Sequence, residues 1–426
     1  MRASINKKQK MLCLLYIIYI TGMLNMPQLQ NKEVINMLFR FLTSGESHGK
    51  CLNVIIDGVP AGVSISADFI NNELARRQTG FGRGGRMLIE KDKAQILSGV
   101  RFGFASGAPI CLEIQNKDWE NWTVPMSASA PEESLENLKK IEEKKIVNAR
   151  PGHADLAGAL KYNHSDIRNI LERSSARETA ARTAAGAIAK CILKEFNIDW
   201  ISFITQIGSA EADIPENVFD YKAEIESNDL RTIPGAAYEK MKQEIETAKE
   251  EGDTLGGKFT VIFCGVPIGL GSHVQWDRRL DGQLAQAVMS IQAVKSVEIG
   301  IGAEAAGTKG SLTHDEIFIE NGRYIRKTNN AGGIEGGISN GEDIIIKASM
   351  KAIPTMRKPL NSIAIDTKTP VQAHFERSDV CAAPACAVTS EAMAAIVLAD
   401  NMLEKFSRDN LNDMKINYEN YLKRIS

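Results

Sequence analysis

The 426-residue chain offers no framework for disulfides or for zinc. Its seven cysteines are odd in number, scattered, and never spaced C-x-x-C. That pattern excludes a disulfide scaffold and a zinc knuckle, and it fits buried free thiols in a reducing compartment. Histidine is scarce, with six residues, and no set has zinc-ligand spacing. The net charge is only −2, so no global basic field calls for nucleic acid. Low-complexity linkers and short-period repeats are also missing, which speaks against independent domains or a solenoid. The one long apolar run, MLCLLYIIYITGML, has 14 residues, short of the ~20 that a membrane-spanning helix needs. It follows the basic head MRASINKKQK like a signal peptide, but no clean A-x-A site comes after it. The first credible strand starts directly after Met37. Residues 1–36 therefore read as an N-terminal extension or an upstream start, 37–405 as the main body, and 406–426 as a C-terminal tail.

What remains is an ordinary globular composition, 43% apolar and 24% charged. Strand patterns are expected at residues 38–43, 94–97, 110–115, 258–264 and 343–350, and LNVIIDGVPAGVSI, residues 52–65, reads as a strand, a turn and a second short strand. Helices are expected at 67–77, 176–195, 238–251, 280–293 and 384–402, the last mostly apolar and buried. Residues 127–145 read as a polar excursion ending in a helix. The elements interleave without the regular strand–helix rhythm of a doubly wound sheet, so one compact α+β unit is expected.

Three features suggest a polyanion. RRQTGFGRGGR, residues 76–86, carries four arginines and no acid. A solvated basic loop is the plain reading, but guanidinium groups among glycines suit phosphate or carboxylate oxygens. ERSSARETAARTAAGAIAK, residues 172–190, places Arg173 and Arg177 around a helix start. Ser175 and Glu178 there have capping-box spacing. Its alanines give the helix a thin profile. Arg182 stands i,i+4 from Glu178, as in a surface salt bridge. The glycine-rich run at 328–343, and KAIPTMRKP at 351–359 with its cations beside Pro354 and Pro359, fit neither the P-loop nor the dinucleotide fingerprint.

Proton chemistry falls to two histidines. His48 lies in TSGESHGKCL between Gly45 and Gly49, where a ligand could press against the loop. His153 lies in RPGHAD beside Arg150 and Asp155. The other four histidines read as structural. Arg377 and Asp379, two apart, would share one face of a strand. The residues alone imply a cleft for a multiply anionic ligand, with histidine acid–base groups.

FRFLTSGESHG, RRQTGFGRGGRM, NARPGHADLAGALKY, DIRNILERSSARETAARTAAGAIAK, NNAGGIEGGISNGEDI and ERSDVCAAPACAV together closely resemble the chorismate synthase family. They occur in the family's order and span about residues 38–402. The resemblance implies a fold with helices sandwiched between antiparallel β-sheets, and a homotetramer in the cytoplasm. It implies conversion of 5-enolpyruvylshikimate 3-phosphate to chorismate by 1,4-anti elimination of phosphate, with reduced FMN required and no net oxidation. Some members also reduce their flavin with NADPH, so a flavin-dependent oxidoreductase is the alternative. A non-catalytic phospholigand-binding protein is a third reading. No metal, nucleic acid or membrane partner is implied.

The resemblance also assigns residues. His48 looks like the acid for the departing phosphate and His153 like the histidine beside the reduced ring. Ser47 and Asp379 resemble a proton relay. Arg77 and Arg83 match a pyridine-nucleotide or substrate-phosphate site, and Arg150 and Arg177 resemble arginines facing the substrate's anionic groups. Arg173, Ser174 and Ser175 match a flavin-binding run. Gln292, Ala293, Gly336, Lys351, Ala352, Ile353, Pro354, Thr355 and Arg377 match further flavin contacts. One departure is Val380, where the family string has proline.

Overall fold

The computed structural model describes residues 37–84, 91–320, 322–376 and 378–425. The 14-residue apolar run, Arg86 and Arg377 lie outside them. Four strands form a first antiparallel sheet: β1 (Arg40–Gly45), β2 (Cys51–Asp57), β3 (Ala94–Ser98) and β4 (Ile110–Gln115), in the order β1-β2-β4-β3. Period-two alternation makes its inner face. Leu52, Val54 and Ile56 of β2, with Ile110, Leu112 and Ile114 of β4, are almost fully buried. A second antiparallel sheet is built from β5 (Asp199–Ile207), β6 (Ala210–Glu211), β7 (Gly257–Cys264), β8 (Val294–Ile299) and β9 (Ile344–Met350), in the order β8-β9-β7-β5-β6. Its central strand is buried on both faces. Ile201, Phe203 and Ile262 pack on one side against Val218, Ile225 and Ile233.

Seven helices matter for the site: α1 (Ala67–Gln78), α2 (Asp155–Tyr162), α3 (Arg168–Ser174), α4 (Thr179–Lys194), α5 (Leu280–Met289), α6 (Ala383–Phe406) and α7 (Leu411–Ile425). Helices α1, α4 and α6 pack on one another between the sheets, α4 against the first and α6 against the second. The fold is therefore α+β with helices between antiparallel sheets, as expected. By length and composition α6 could cross a membrane, but it is the buried core helix of this layer. The thin profile of α4 is used here. A Cβ on Gly186 would lie 2.4 Å from Ala392 Cβ of α6, so the helix backbones are in close contact. Phe406 at the end of α6 meets Tyr418 of α7 edge-on at 5.2 Å, so residues 406–426, read as a tail, hold a docked helix.

Several boundaries moved. Helix α5 stops at Met289, and Ala293, with φ +69°, turns the chain into β8. A 3-10 turn, Ala176–Glu178, precedes α4, and Ser175 caps it by accepting from Arg177 N at 3.3 Å. Glu178 does not complete the box; it is taken by Thr43, Arg182 and Gln292. Asp379 lies outside any strand, and the expected strand partner Arg377 lies outside the described residues.

Candidate active site

The loop between β1 and β2 carries Ser47 and His48. Its glycines answer to the chain itself. Gly45 has φ +97° and a Cβ there would meet Cys51 O at 2.2 Å, while a Cβ on Gly49 would meet Glu46 Oε2 at 2.7 Å. GESHG has the letters of a nucleophile elbow, but that device needs a strand-to-helix turn, and here it joins two antiparallel strands. Ser47 N donates to Glu172 O at 3.0 Å, and Ser175 Oγ donates to Ser47 Oγ at 3.1 Å. His48 is held on three sides. Its backbone N donates to Glu172 Oε2 at 2.7 Å, its Nδ1 lies 2.9 Å from Glu172 Oε1, and its ring stacks on Trp122 at 4.0 Å.

His153 sits just before α2. Its Nδ1 is 2.5 Å from Asp155 Oδ1, and the fully buried Asp155 also takes Arg150 Nε at 2.8 Å. Burial pushes the Asp155 carboxyl up, but hydrogen bonds from His153 and Arg150 outweigh it and hold it well below the usual carboxylate range. Arg150 Nη1 donates to Thr355 Oγ1 at 3.0 Å, and Lys351 Nζ donates to Gly152 O at 2.6 Å. The run 351–355 thus closes over the His153 loop.

The arginine cluster joins α1, the glycine-rich loop and the α4 entrance. Arg77 Nε donates to Thr179 Oγ1 at 2.9 Å and Nη2 to Ala176 O at 3.0 Å. Burial, helped by Arg83 and Arg177, pulls Arg77 down to about 10. Arg177 grips Asp92 at 2.5 and 2.6 Å and donates to Asn116 Oδ1 at 3.0 Å. Asn116 in turn donates to Gly49 O at 2.7 Å, tying Arg177 to the His48 loop. Arg83 pairs with Asp379 at 3.3 Å, and Gly84 N donates to the same carboxylate at 2.6 Å. Ser378 Oγ donates to Thr355 O at 2.7 Å, which carries the network on to Arg150 and His153.

Of the flavin-assigned residues, Arg173, Gln292 and Lys351 are tied to these loops by hydrogen bonds. Arg173 is half exposed and bonds Thr43 O and Gly45 O of β1 at 3.0 and 3.2 Å. Ser174 Oγ is turned back to Ile170 O at 2.8 Å. Gln292 Nε2 donates to Glu178 Oε2 at 3.2 Å, while its buried Oε1 has no hydrogen-bond partner. Ala293 O accepts from Lys351 N at 2.9 Å, joining this run to 351–355. Ile353 O accepts from Thr254 Oγ1 at 2.7 Å, Pro354 lies beside Gly152, and Ala352 completes the run. Gly336 has φ +58° and would meet nothing within 4 Å if given a Cβ. Nearby in sequence, Ile299, His314, Asp315, Asn330 and Glu335 line a cavity of about 270 Å³ that includes neither assigned histidine. Arg182 takes the salt-bridge reading, with Nε 2.9 Å from Glu178 Oε2.

Sequence reasoning missed Asp92, Asn116, Trp122, Arg168 and Glu172. Arg168 and Glu172 carried a readable signal, i,i+4 spacing on one helix, and they pair at 2.9 Å. Nothing local marked Asp92 or Asn116, whose partners are distant in sequence.

Guanidinium groups and two carboxylate-backed histidines, held in loops and at helix ends of a fold that packs helices between antiparallel sheets, are what an α+β enzyme handling anions and protons would carry. The sequence model of chorismate synthase matches residues 39–403, and the chain belongs to that family of lyases. The chorismate synthase of Geotalea uraniireducens is 53% identical over 394 residues, covering 90% of this chain and 98% of its own. That of Carboxydothermus hydrogenoformans is 50% identical, covering 91% and 100%. A crystal structure of chorismate synthase superposes with a TM-score of 0.72 at 42% identity, covering 91% of this chain and 98% of that one.

Proposed function

We propose that the protein converts 5-enolpyruvylshikimate 3-phosphate to chorismate by 1,4-anti elimination of phosphate, with reduced FMN bound. The observation that carries this reading is a set of hydrogen bonds in a chain of this family: Asn116 ties Arg177 to the His48 loop, and Ser378 and Thr355 tie the Asp379 segment to Arg150 and His153. Each of the two histidines is backed by a buried carboxylate.

The residues fit the cofactor. Gln292 presents an orphaned buried oxygen, which suits an N–H donor. Arg173, Ser174 and Ser175, Gln292 and Ala293, Gly336, and Lys351 to Thr355 would hold it. When bound, reduced FMN supplies electron density to the allylic system that loses phosphate. Arg77 has a buried Nη1 without a hydrogen-bond partner, which suits a phosphate oxygen. It, Arg83, Arg150 and Arg177 bind and orient the substrate's anionic groups. His48 gives a proton to the departing phosphate, where an acid stabilises the charge that builds up. His153, steadied by Asp155 and Arg150, keeps a polarised N–H in the site. Ser47 Oγ and the Asp379 carboxylate relay the ring proton that is lost with the phosphate.

The test is an anaerobic assay with chemically reduced FMN and no NADPH. Chorismate formation is expected, and His48→Ala should lower kcat about 10²- to 10⁴-fold. No chorismate from the unmodified protein, with NADPH-driven flavin reduction instead, would make it an oxidoreductase. Unchanged turnover in both His48→Ala and His153→Ala would remove the histidines from the chemistry. The same reading carries a cytoplasmic homotetramer, whose mass light scattering would give.

A further inference from the structure

His48 is not held by packing alone. An ionised carboxylate only accepts hydrogen bonds, so the ring nitrogen facing Glu172 has to be the donor. Glu172 is 2% exposed, yet it is ionised at neutral pH. Burial pushes its carboxyl up, but the hydrogen bonds from His48 and Arg168 outweigh that and set it below its ordinary value. Its two oxygens are both committed. Oε2 accepts the His48 backbone N at 2.7 Å, which fixes the carboxylate against the loop. Oε1 accepts Nδ1 at 2.9 Å and Arg168 Nη1 at 2.9 Å. Arg168 is itself anchored, with its guanidinium 4.9 Å from the Trp122 ring that stacks on His48, and with Glu376 at 3.1 Å.

We propose that Glu172 is a positioning residue for His48, fixing the imidazole in the tautomer protonated on Nδ1 so that Nε2 handles the acid–base proton. The proposal rests on the functional reading above and adds to it a residue that the resemblance did not assign. Arg168 and Trp122 complete the clamp, one holding the carboxylate and the other the ring plane. Glutamine cannot replace Glu172. Its amide would present N–H either to the His48 backbone N–H or to the Nδ1–H and Arg168, so one orientation always sets donor against donor.

The experiment combines long-range proton–nitrogen spectra of protein labelled with nitrogen-15 histidine and steady-state kinetics. His48 is assigned by the signal lost in His48→Gln. Titrated to a pH at which the His48 ring is neutral, the unmodified protein should show Nδ1 protonated; the imidazolium formed from that tautomer carries on Nε2 the proton given to phosphate. Glu172→Gln should shift that signature towards the other tautomer and lower kcat about 10²-fold, while KM changes little. Glu172→Asp, which keeps the carboxylate, should recover part of the loss. A neutral His48 with Nδ1 unprotonated in the unmodified protein would overturn the proposal. So would Glu172→Gln with full turnover where His48→Ala is impaired. If Glu172→Gln does not fold, the spectrum of the unmodified protein decides alone. Absence of chorismate formation would sink the functional reading instead, since the tautomer is read without turnover.

Discussion

Removing the Glu391 charge should expose how the helical layer is held together. Lys190 of α4 and Glu391 of α6 are fully buried, and Glu73 and Arg76 of α1 meet them. Arg76 donates to Glu391 Oε1 at 2.7 Å, to Glu73 at 2.9 Å and to Glu226 at 2.6 Å, and Arg231 pairs with Glu226 at 2.7 Å. Three cations thus face three anions, and the cluster is neutral. Glu391→Gln keeps the shape but leaves one uncompensated positive charge in the core. Breaking one partner of a buried pair costs about 3–5 kcal/mol, whereas replacing both partners is often near neutral. Glu391→Gln alone should therefore lose about 3–5 kcal/mol, and Lys190→Met/Glu391→Gln should recover most of it. Urea unfolding followed by tryptophan fluorescence reads this directly, since Lys190 Nζ sits 4.9 Å from the Trp200 ring. If the two single losses simply add in the double variant, within about 0.5 kcal/mol, the charges are not coupled and the reasoning fails.

Gly186→Ala should cost about 1–3 kcal/mol by forcing α4 and α6 apart. Ala392→Gly should rescue only part of it in thermal unfolding, because Ala392 O also lies 2.7 Å from the new Cβ. Stability should fall on acidification. Burial raises the Glu226 carboxyl, but Arg231 and Arg76 outweigh it and bring it down from 4.5 to about 2. That contribution is whole above the unfolded value and disappears as pH drops through about 2. Glu376, pulled to about 2 by His374 and Arg168 against its burial, acts in the same window. Urea midpoints at pH 7, 4.5 and 3 check the slope, and Glu226→Gln should flatten it.

The sheets were legible because their pattern is local. β4 occupies residues 110–115 as expected, since ICLEIQ alternates with one face inward. β9 does the same with Ile344, Ile346, Ala348 and Met350 inward. Helix ends were less legible because tertiary partners set them. Glu178 would have closed a capping box on local grounds, but Arg182 and Gln292 compete for its carboxylate and Thr43 donates to it from β1. The site divides the same way. His48, His153 and the arginines stood out by local context, whereas the carboxylate orienting His48 comes from residue 172.

Charge shows why a loop's own sequence could not settle which arginine is available to a ligand. Four arginines within residues 76–86 looked uncompensated because the loop has no acid of its own. The fold supplies the acids from outside the loop. Arg76 and Arg77 are adjacent on α1, but roughly 100° apart around a helix, and they meet different fates. Arg76 is consumed by Glu73, Glu226 and Glu391. Arg77 receives only a distant carboxylate, Asp92 at 3.6 Å, which Arg177 already holds in two short bonds. Its Nη1 keeps an unsatisfied buried N–H, and even at about 10 it stays protonated at neutral pH. A buried cation with a donor to spare is stabilised by an incoming anion, because that anion supplies the acceptor the protein withholds. Of the two adjacent residues, the proposed function therefore expects Arg77, and not Arg76, at the substrate's phosphate, and Arg77→Met should raise KM while Arg76→Met acts on stability.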